Sequence, residues 1–222
     1  MKLSERLLRW MGQQARKPSG LLGRIAGHGM SWGHRSHTIW ALSYLDIRPT
    51  DRVLDVGCGG GMAIKLIAQS AVHGFVAGVD HSPEMVEQAR RRNAAAIRAG
   101  RVEIVHGDVA ALPYDDASFD TVVSVQTFYF WPDPIQGLCE VRRVLRGRRG
   151  VIGMGGLVAL TMEVSKESPH WPKLVAQAHR MGCPIYSGTE MVELLTAAGF
   201  SRSWFESAPD KGVGWLCALA RK

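Results

Sequence analysis

Cysteine is scarce in this 222-residue chain, and its four copies, Cys58, Cys139, Cys183 and Cys217, lie far apart with no CxxC pair. That spacing offers neither a disulfide framework nor a zinc site, and it suits a reducing compartment, so a cytoplasmic location is expected. Long apolar runs are missing too. The amino end, MKLSERLLRWMGQQARK, breaks every apolar stretch with charge, so neither a membrane span nor a secretory leader is expected there. Acidic residues are outnumbered, 20 Asp and Glu against 27 Lys and Arg, for a net charge of +7. A positive balance of this size accommodates nucleic acid, an anionic surface or an acidic small molecule, and does not choose among them. Internal repeats and low-complexity tracts are absent.

What remains is the composition of a folded domain: 46% hydrophobic and 21% charged, with 25 Gly and 10 Pro. A single domain of this length buries enough core to need no staples. From residue 51 onward, short β-branched runs alternate with helix-like spacing, the pattern of βαβ units around a parallel sheet. Strands are expected over 53–56, 75–79, 102–105, 119–125 and 151–160, and a closing hairpin over 201–206 and 212–220. Helices are expected over 62–70, 84–99, 134–145 and 189–198. The 84–99 helix opens with Ser82-Pro83-Glu84, a cap, a first-turn proline and a first-turn acid. Before residue 51, helical spacing over 4–16 and 35–45, joined by a glycine-rich link, reads as a cap over the pocket, within the same domain. Pro169, Trp171 and Pro172 read as an insertion facing the substrate.

The strongest local signal is Asp55-Val56-Gly57-Cys58-Gly59-Gly60-Gly61, a strand running into glycines and then a helix. Glycine lets backbone approach a ligand closely and adopts positive φ at little cost. A dinucleotide dehydrogenase would use a similar turn, but the position that fingerprint reserves for its last Gly or Ala is Met62. Two further acids, Asp80 and Asp108, close the second and third expected strands, at the sheet edge where open α/β folds bind ligands. An acid after the second strand suits ribose hydroxyls. Asp108 with the Val109 backbone suits an adenine edge.

With Gly78-Val79-Asp80-His81-Ser82, Gly107-Asp108-Val109-Ala110-Ala111-Leu112-Pro113-Tyr114 and Phe119-Asp120-Thr121-Val122 in this order, the chain resembles the class I S-adenosylmethionine-dependent methyltransferases. It is most similar to their small-molecule, ubiquinone/menaquinone-methyltransferase-like branch. The resemblance implies an α/β, Rossmann-like, doubly wound seven-stranded sheet with its last strand antiparallel, residues 51–222 forming the methyltransferase domain and 1–50 a helical cap. It implies S-adenosylmethionine as co-substrate, with Asp55 and Gly57 near its methionine end, Asp80 on ribose and Asp108 on adenine. Cys58, Gly59, His81, Val109 and Gln126 complete the candidate cofactor-binding set. Gly147-Arg148-Arg149-Gly150 departs from the Pro-Gly-Gly turn common in that family.

The tip of the fourth strand, Gln126-Thr127-Phe128-Tyr129-Phe130-Trp131-Pro132, lacks the Asn-Pro-Pro-Tyr or Asp-Pro-Pro-Tyr motif of base methyltransferases. Its rings suit an apolar or aromatic acceptor, or shield a sulfonium, and equally suit plain coverage of the sheet edge. In-line methyl displacement requires positioning more than acid–base chemistry. A phenol or amine acceptor must still shed a proton, and His28, His34, His37 and Tyr129 are the candidate catalytic residues. No carboxylate accompanies His34 and His37 at ligand spacing, so no metal is expected. The expected partner is a small-molecule acceptor, not nucleic acid. Methylation of RNA or protein, and a non-catalytic cofactor-binding protein, are the alternatives. The oligomeric state is not legible.

Overall fold

The computed structural model describes residues 35–147, 155–181 and 183–222. The chain-order elements are α1 (Arg35–Leu42), β1 (Arg52–Val56), α2 (Met62–Ser70), β2 (Phe75–Asp80), α3 (Pro83–Arg92), α4 (Ala94–Arg98), β3 (Val102–His106) and β4 (Thr121–Val125). A 3-10 turn, Phe128–Phe130, follows, then α5 (Pro134–Val144), β5 (Leu157–Met162), α6 (Trp171–Met181), α7 (Gly188–Ala197), β6 (Arg202–Ala208) and β7 (Trp215–Arg221). One seven-stranded sheet runs β3-β2-β1-β4-β5-β7-β6. All pairings up to β4–β5 are parallel, and β7 lies antiparallel to both β5 and β6. The expected fold class is what the chain adopts.

The strand sequences explain this order. β1, β2, β4 and β5 are apolar almost throughout and buried, as strands covered on both faces must be. Alternation then sends successive side chains to opposite layers. Leu54 and Val56 join Val122, Leu138, Leu160 and Met191 on one face. Val53 joins Ile64, Ile67, Val86 and Val123 on the other. The strand order reverses between β1 and β4, so β1, β2 and β4 all present their carboxyl ends to one crevice at this switch point.

Several expected boundaries shift. The helix expected over 84–99 is two, because Asn93 leaves helical geometry (φ −107°, ψ 15°) and spends its side-chain amide on the Ala89 and Gly61 carbonyls. The helix expected over 35–45 closes at Leu42. Phe119 falls outside β4 and instead bridges to Leu145. The strand expected over 151–160 is seen as β5 from Leu157, with 151–154 outside the described residues. Of the expected insertion, Pro169 precedes α6 while Trp171 and Pro172 lie in its first turn, which tolerates Pro172 because an N–H there has no helical partner, and none of the three lines the crevice. The helix expected over 4–16, the glycine link and the 148–150 part of the arginine turn lie outside the described residues.

Helix α5 offers a test of the layered core. Leu138 is fully buried and Ile135 is 36% exposed on the same helix. Leu138→Ala should lower unfolding free energy by about 2–5 kcal/mol, and Ile135→Ala by less than about 0.5 kcal/mol. Urea denaturation of both variants checks the contrast.

Candidate active site

The crevice at the strand tips is a cavity of about 260 Å³. Its floor is the glycine turn between β1 and α2, which the end of β2 holds in place: the Gly57 and Cys58 amides both donate to the Val79 carbonyl, at 2.7 and 3.0 Å. Gly57, Gly59 and Gly61 all sit at positive φ. From behind, Arg92 Nη1 donates to the Gly60 carbonyl and Asn93 Nδ2 to that of Gly61. The turn is thus clamped from β2 and α3 together.

Gly57 and Gly59 are glycines for different reasons. A Cβ on Gly57 would stand 2.5 Å from Thr127 Oγ1, itself fixed by donating to the Val56 carbonyl and pairing with Ser124 Oγ. A Cβ on Gly59 would meet nothing within 4 Å, so this turn leaves room toward the cavity it lines.

Two buried carboxylates share the crevice. Asp80 ends β2 and accepts from the Gly59 amide on Oδ2 (2.8 Å) and the Ser82 amide on Oδ1 (2.9 Å). Burial pushes its pKa up, and the two amide donors and the neighbouring His81 and His106 oppose that. Asp55 is 1% exposed and neither of its oxygens has a hydrogen-bond partner among the described residues. Burial, and then the Asp80 charge, push Asp55 up to about 8. Orphaned buried carboxylates are costly. Cys58 is buried beside them, and burial with the same charges pushes its thiol up, which suits packing rather than nucleophilic attack.

Around the rim, Asp108 lines the cavity and accepts from the Ala110 amide (2.9 Å), with Val109 beside it. His81 lines the same edge, its Nδ1 3.7 Å from Asp80 Oδ1, and its carbonyl contacts His106 Nε2 at 3.1 Å. The opposite wall is Thr38, Gln126, Thr127, Tyr129, Phe130, Trp131 and Pro132. Phe128 points away into the core, fully buried against Trp131 and Tyr186. Edge coverage therefore describes Phe128, whereas Phe130 and Trp131 face the cavity.

The crevice brings together Asp55, Gly57, Cys58, Gly59, Asp80, His81, Asp108, Val109, Gln126 and Tyr129. His37 does not reach it directly: the ring is buried and meets Gln126, its Nδ1 3.1 Å from Nε2. His28 and His34 lie outside the described residues. Thr38 and Thr127 were not legible as site residues. A glycine-rich turn does signal that some side chain must pack close to it, but nothing local says which.

A parallel sheet with a glycine turn, an acid at the second strand tip and a cavity at the switch point defines a Rossmann-like nucleoside-binding protein. Comparison with known proteins is more specific. Residues 54–151 match the methyltransferase domain family. A ubiquinone/menaquinone biosynthesis C-methyltransferase of Geobacter is 30% identical, over 57% of this chain and 53% of its own length. An uncharacterized methyltransferase of Bacillus subtilis is 25% identical over 89% of this chain and 98% of its own. The crystal structure of an S-adenosylmethionine-dependent methyltransferase from Aquifex aeolicus superposes with TM-score 0.68 at 19% identity, covering 89% of this chain and 97% of that one. Residues 54–151 thus carry a methyltransferase domain, and the matches together support a class I S-adenosylmethionine-dependent methyltransferase. Apart from the B. subtilis protein, the chain spans between 30% and 62% of the length of the curated relatives compared. Among the described residues no group of three His, Cys, Asp or Glu is placed to hold a metal.

Two outcomes are expected from this geometry. Gly59→Ala should destabilise by about 1 kcal/mol, the cost of a left-handed alanine, and Gly57→Ala by clearly more because Thr127 must also move; urea midpoints compare them. The second concerns Asp55. The folded state keeps its proton from the ordinary 3.8 up to about 8, whereas the unfolded chain releases it near 3.8. Across that window the folded state binds more protons, so this group makes stability fall as pH rises. Asp55→Asn should flatten the decline in urea stability between about pH 5 and 8; an unchanged slope would contradict the assignment.

Proposed function

We propose that this protein transfers a methyl group from S-adenosylmethionine to a small organic acceptor by in-line displacement. The observation that carries the reading is the two-sided crevice: acids and open backbone on one wall, rings and one amide on the other. Bound there, S-adenosylmethionine supplies an electrophilic methyl on a sulfonium. Asp80 is the candidate for its ribose hydroxyls, because each carboxylate oxygen still has a lone pair after accepting one amide. Asp108 and Val109 are the candidates for adenine, and His81 borders the same edge. Asp55 suits the cationic end: an orphaned carboxylate gains most from a positive partner. Gly57, Cys58 and Gly59 supply the close backbone.

The acceptor belongs on the other wall. Tyr129, Phe130 and Trp131 favour an apolar or aromatic molecule, and their bulk keeps water away from the transfer. The named small-molecule methyltransferases among its relatives, one acting on 27-O-demethylrifamycin SV, support this class of acceptor. The described part of the expected 1–50 cap, residues 35–50, contributes Thr38 to the cavity wall, which supports reading it as part of the same domain. Cys58, Cys139, Cys183 and Cys217 form no disulfide among the described residues, which suits a cytoplasmic location. No described helix is long and apolar enough to cross a membrane.

Calorimetric titration with S-adenosylhomocysteine and with NAD separates this reading from a dehydrogenase: only the first should bind. Asp80→Ala should weaken that binding about tenfold or more, the worth of charge-assisted hydrogen bonds; unchanged affinity would remove the ribose assignment. Incubation with methyl-labelled S-adenosylmethionine and cell extract should put label in the small-molecule fraction. Label in protein or nucleic acid would overturn the acceptor class.

A further inference from the structure

His37 on α1 and Tyr129 in the cavity wall are joined by one residue. Gln126 Oε1 accepts from the Tyr129 hydroxyl at 3.0 Å, and Gln126 Nε2 stands 3.1 Å from His37 Nδ1. An amide nitrogen only donates, so His37 Nδ1 is the acceptor and the ring carries its proton on Nε2. The backbone makes this bridge at some expense. Gln126 sits at φ 62°, a left-handed conformation rare for side chains of its kind, while its own N–H donates to the Thr161 carbonyl on β5. Its backbone is thereby held against β5.

The consequence falls on Tyr129. Its single hydroxyl hydrogen is committed to Gln126, so to any further partner its oxygen offers lone pairs only, and the residue lines the cavity. Edge-on contact with Phe130, at 4.6 Å between ring centres, holds the ring. Burial, with Cys183 and Glu163 nearby, pushes the phenol well above its ordinary pKa, so it stays neutral and does not act as a base.

We propose that Tyr129 receives a hydrogen bond from an O–H or N–H of the methyl acceptor, and that His37 is a positioning residue that acts through Gln126 to keep Tyr129 an acceptor. The proposal rests on the methyltransferase reading above and narrows its substrate class. Acceptors bear a hydroxyl or amine beside the reacting atom, and a molecule whose polar group is fully alkylated is rejected because it leaves Tyr129 facing no donor. A proton relay from Tyr129 to His37 is not part of the arrangement, since the intervening amide would have to change its bonding to pass a proton.

The test uses the full chain loaded with S-adenosylhomocysteine, with phenol and anisole as probes, read by ligand-observed NMR titration. Phenol should bind the wild type about fivefold more tightly than anisole, the value of one neutral hydrogen bond. Tyr129→Phe should abolish the preference while leaving S-adenosylhomocysteine affinity within about twofold, well under the effect of one lost hydrogen bond. His37→Leu should reduce the preference and His37→Asn, which returns an acceptor near the Nδ1 position, should restore it. Failure of the wild type to bind S-adenosylhomocysteine would overturn the methyltransferase reading itself. Binding of it with no phenol preference, or a preference surviving in Tyr129→Phe, would overturn only this inference. However the His37 variants fold, nitrogen-15 NMR of the wild type should find His37 protonated on Nε2; a proton on Nδ1 would refute the clamp.

Discussion

The Val79 carbonyl, accepting two successive amides from the glycine turn, is the contact on which the site depends. It ties the exit of β1 to the tip of β2, so that the turn and Asp80 cannot move independently. Asp80 closes the loop by taking the Gly59 amide. Each bond is modest by itself, about 1 kcal/mol net. Together they hold a backbone surface that lies within a parallel sheet's crevice and has an open face at Gly59. Positive φ at Gly57, Gly59 and Gly61 is what allows so sharp a path.

Electrostatics then give the crevice its polarity. Asp55 and Asp80 are both nearly inaccessible, yet they are treated differently: Asp80 is served by two amides, and Asp55 by none among the described residues. A stable fold built for packing alone would not leave a carboxylate in this condition, because the desolvation penalty is uncompensated. Across the cavity, the neutral Gln126–Tyr129 pair and the rings present the opposite character, suited to a molecule with little charge. The two walls of the crevice thus differ in character, with acids on one side and rings on the other.

Much of this was legible in the chain, and its failures share a cause. The 62–70 helix and the first three strands emerge with their expected bounds or one residue of change, since apolar runs and turn residues are local signals. The acids Asp55, Asp80 and Asp108 were placed at strand ends by the same local logic. Asn93 was missed as a break because its amide is drawn out of the helix by Gly61, 32 residues away. His37 is legible as a candidate from its ring chemistry alone, but its partner Gln126 is 89 residues distant.

The sequence by itself determined the α/β class, the order of the cofactor-binding motifs and the carboxyl-end placement of the three acids, because periodicity, capping and glycine geometry operate over a few neighbouring residues. Only the tertiary structure decided that Thr127 forbids a side chain at Gly57, that Asp55 is left without a hydrogen-bond partner among the described residues, and that Tyr129 gives its hydroxyl hydrogen to Gln126. These depend on groups brought together across the sheet, where distance along the chain carries no information about which side chains will meet.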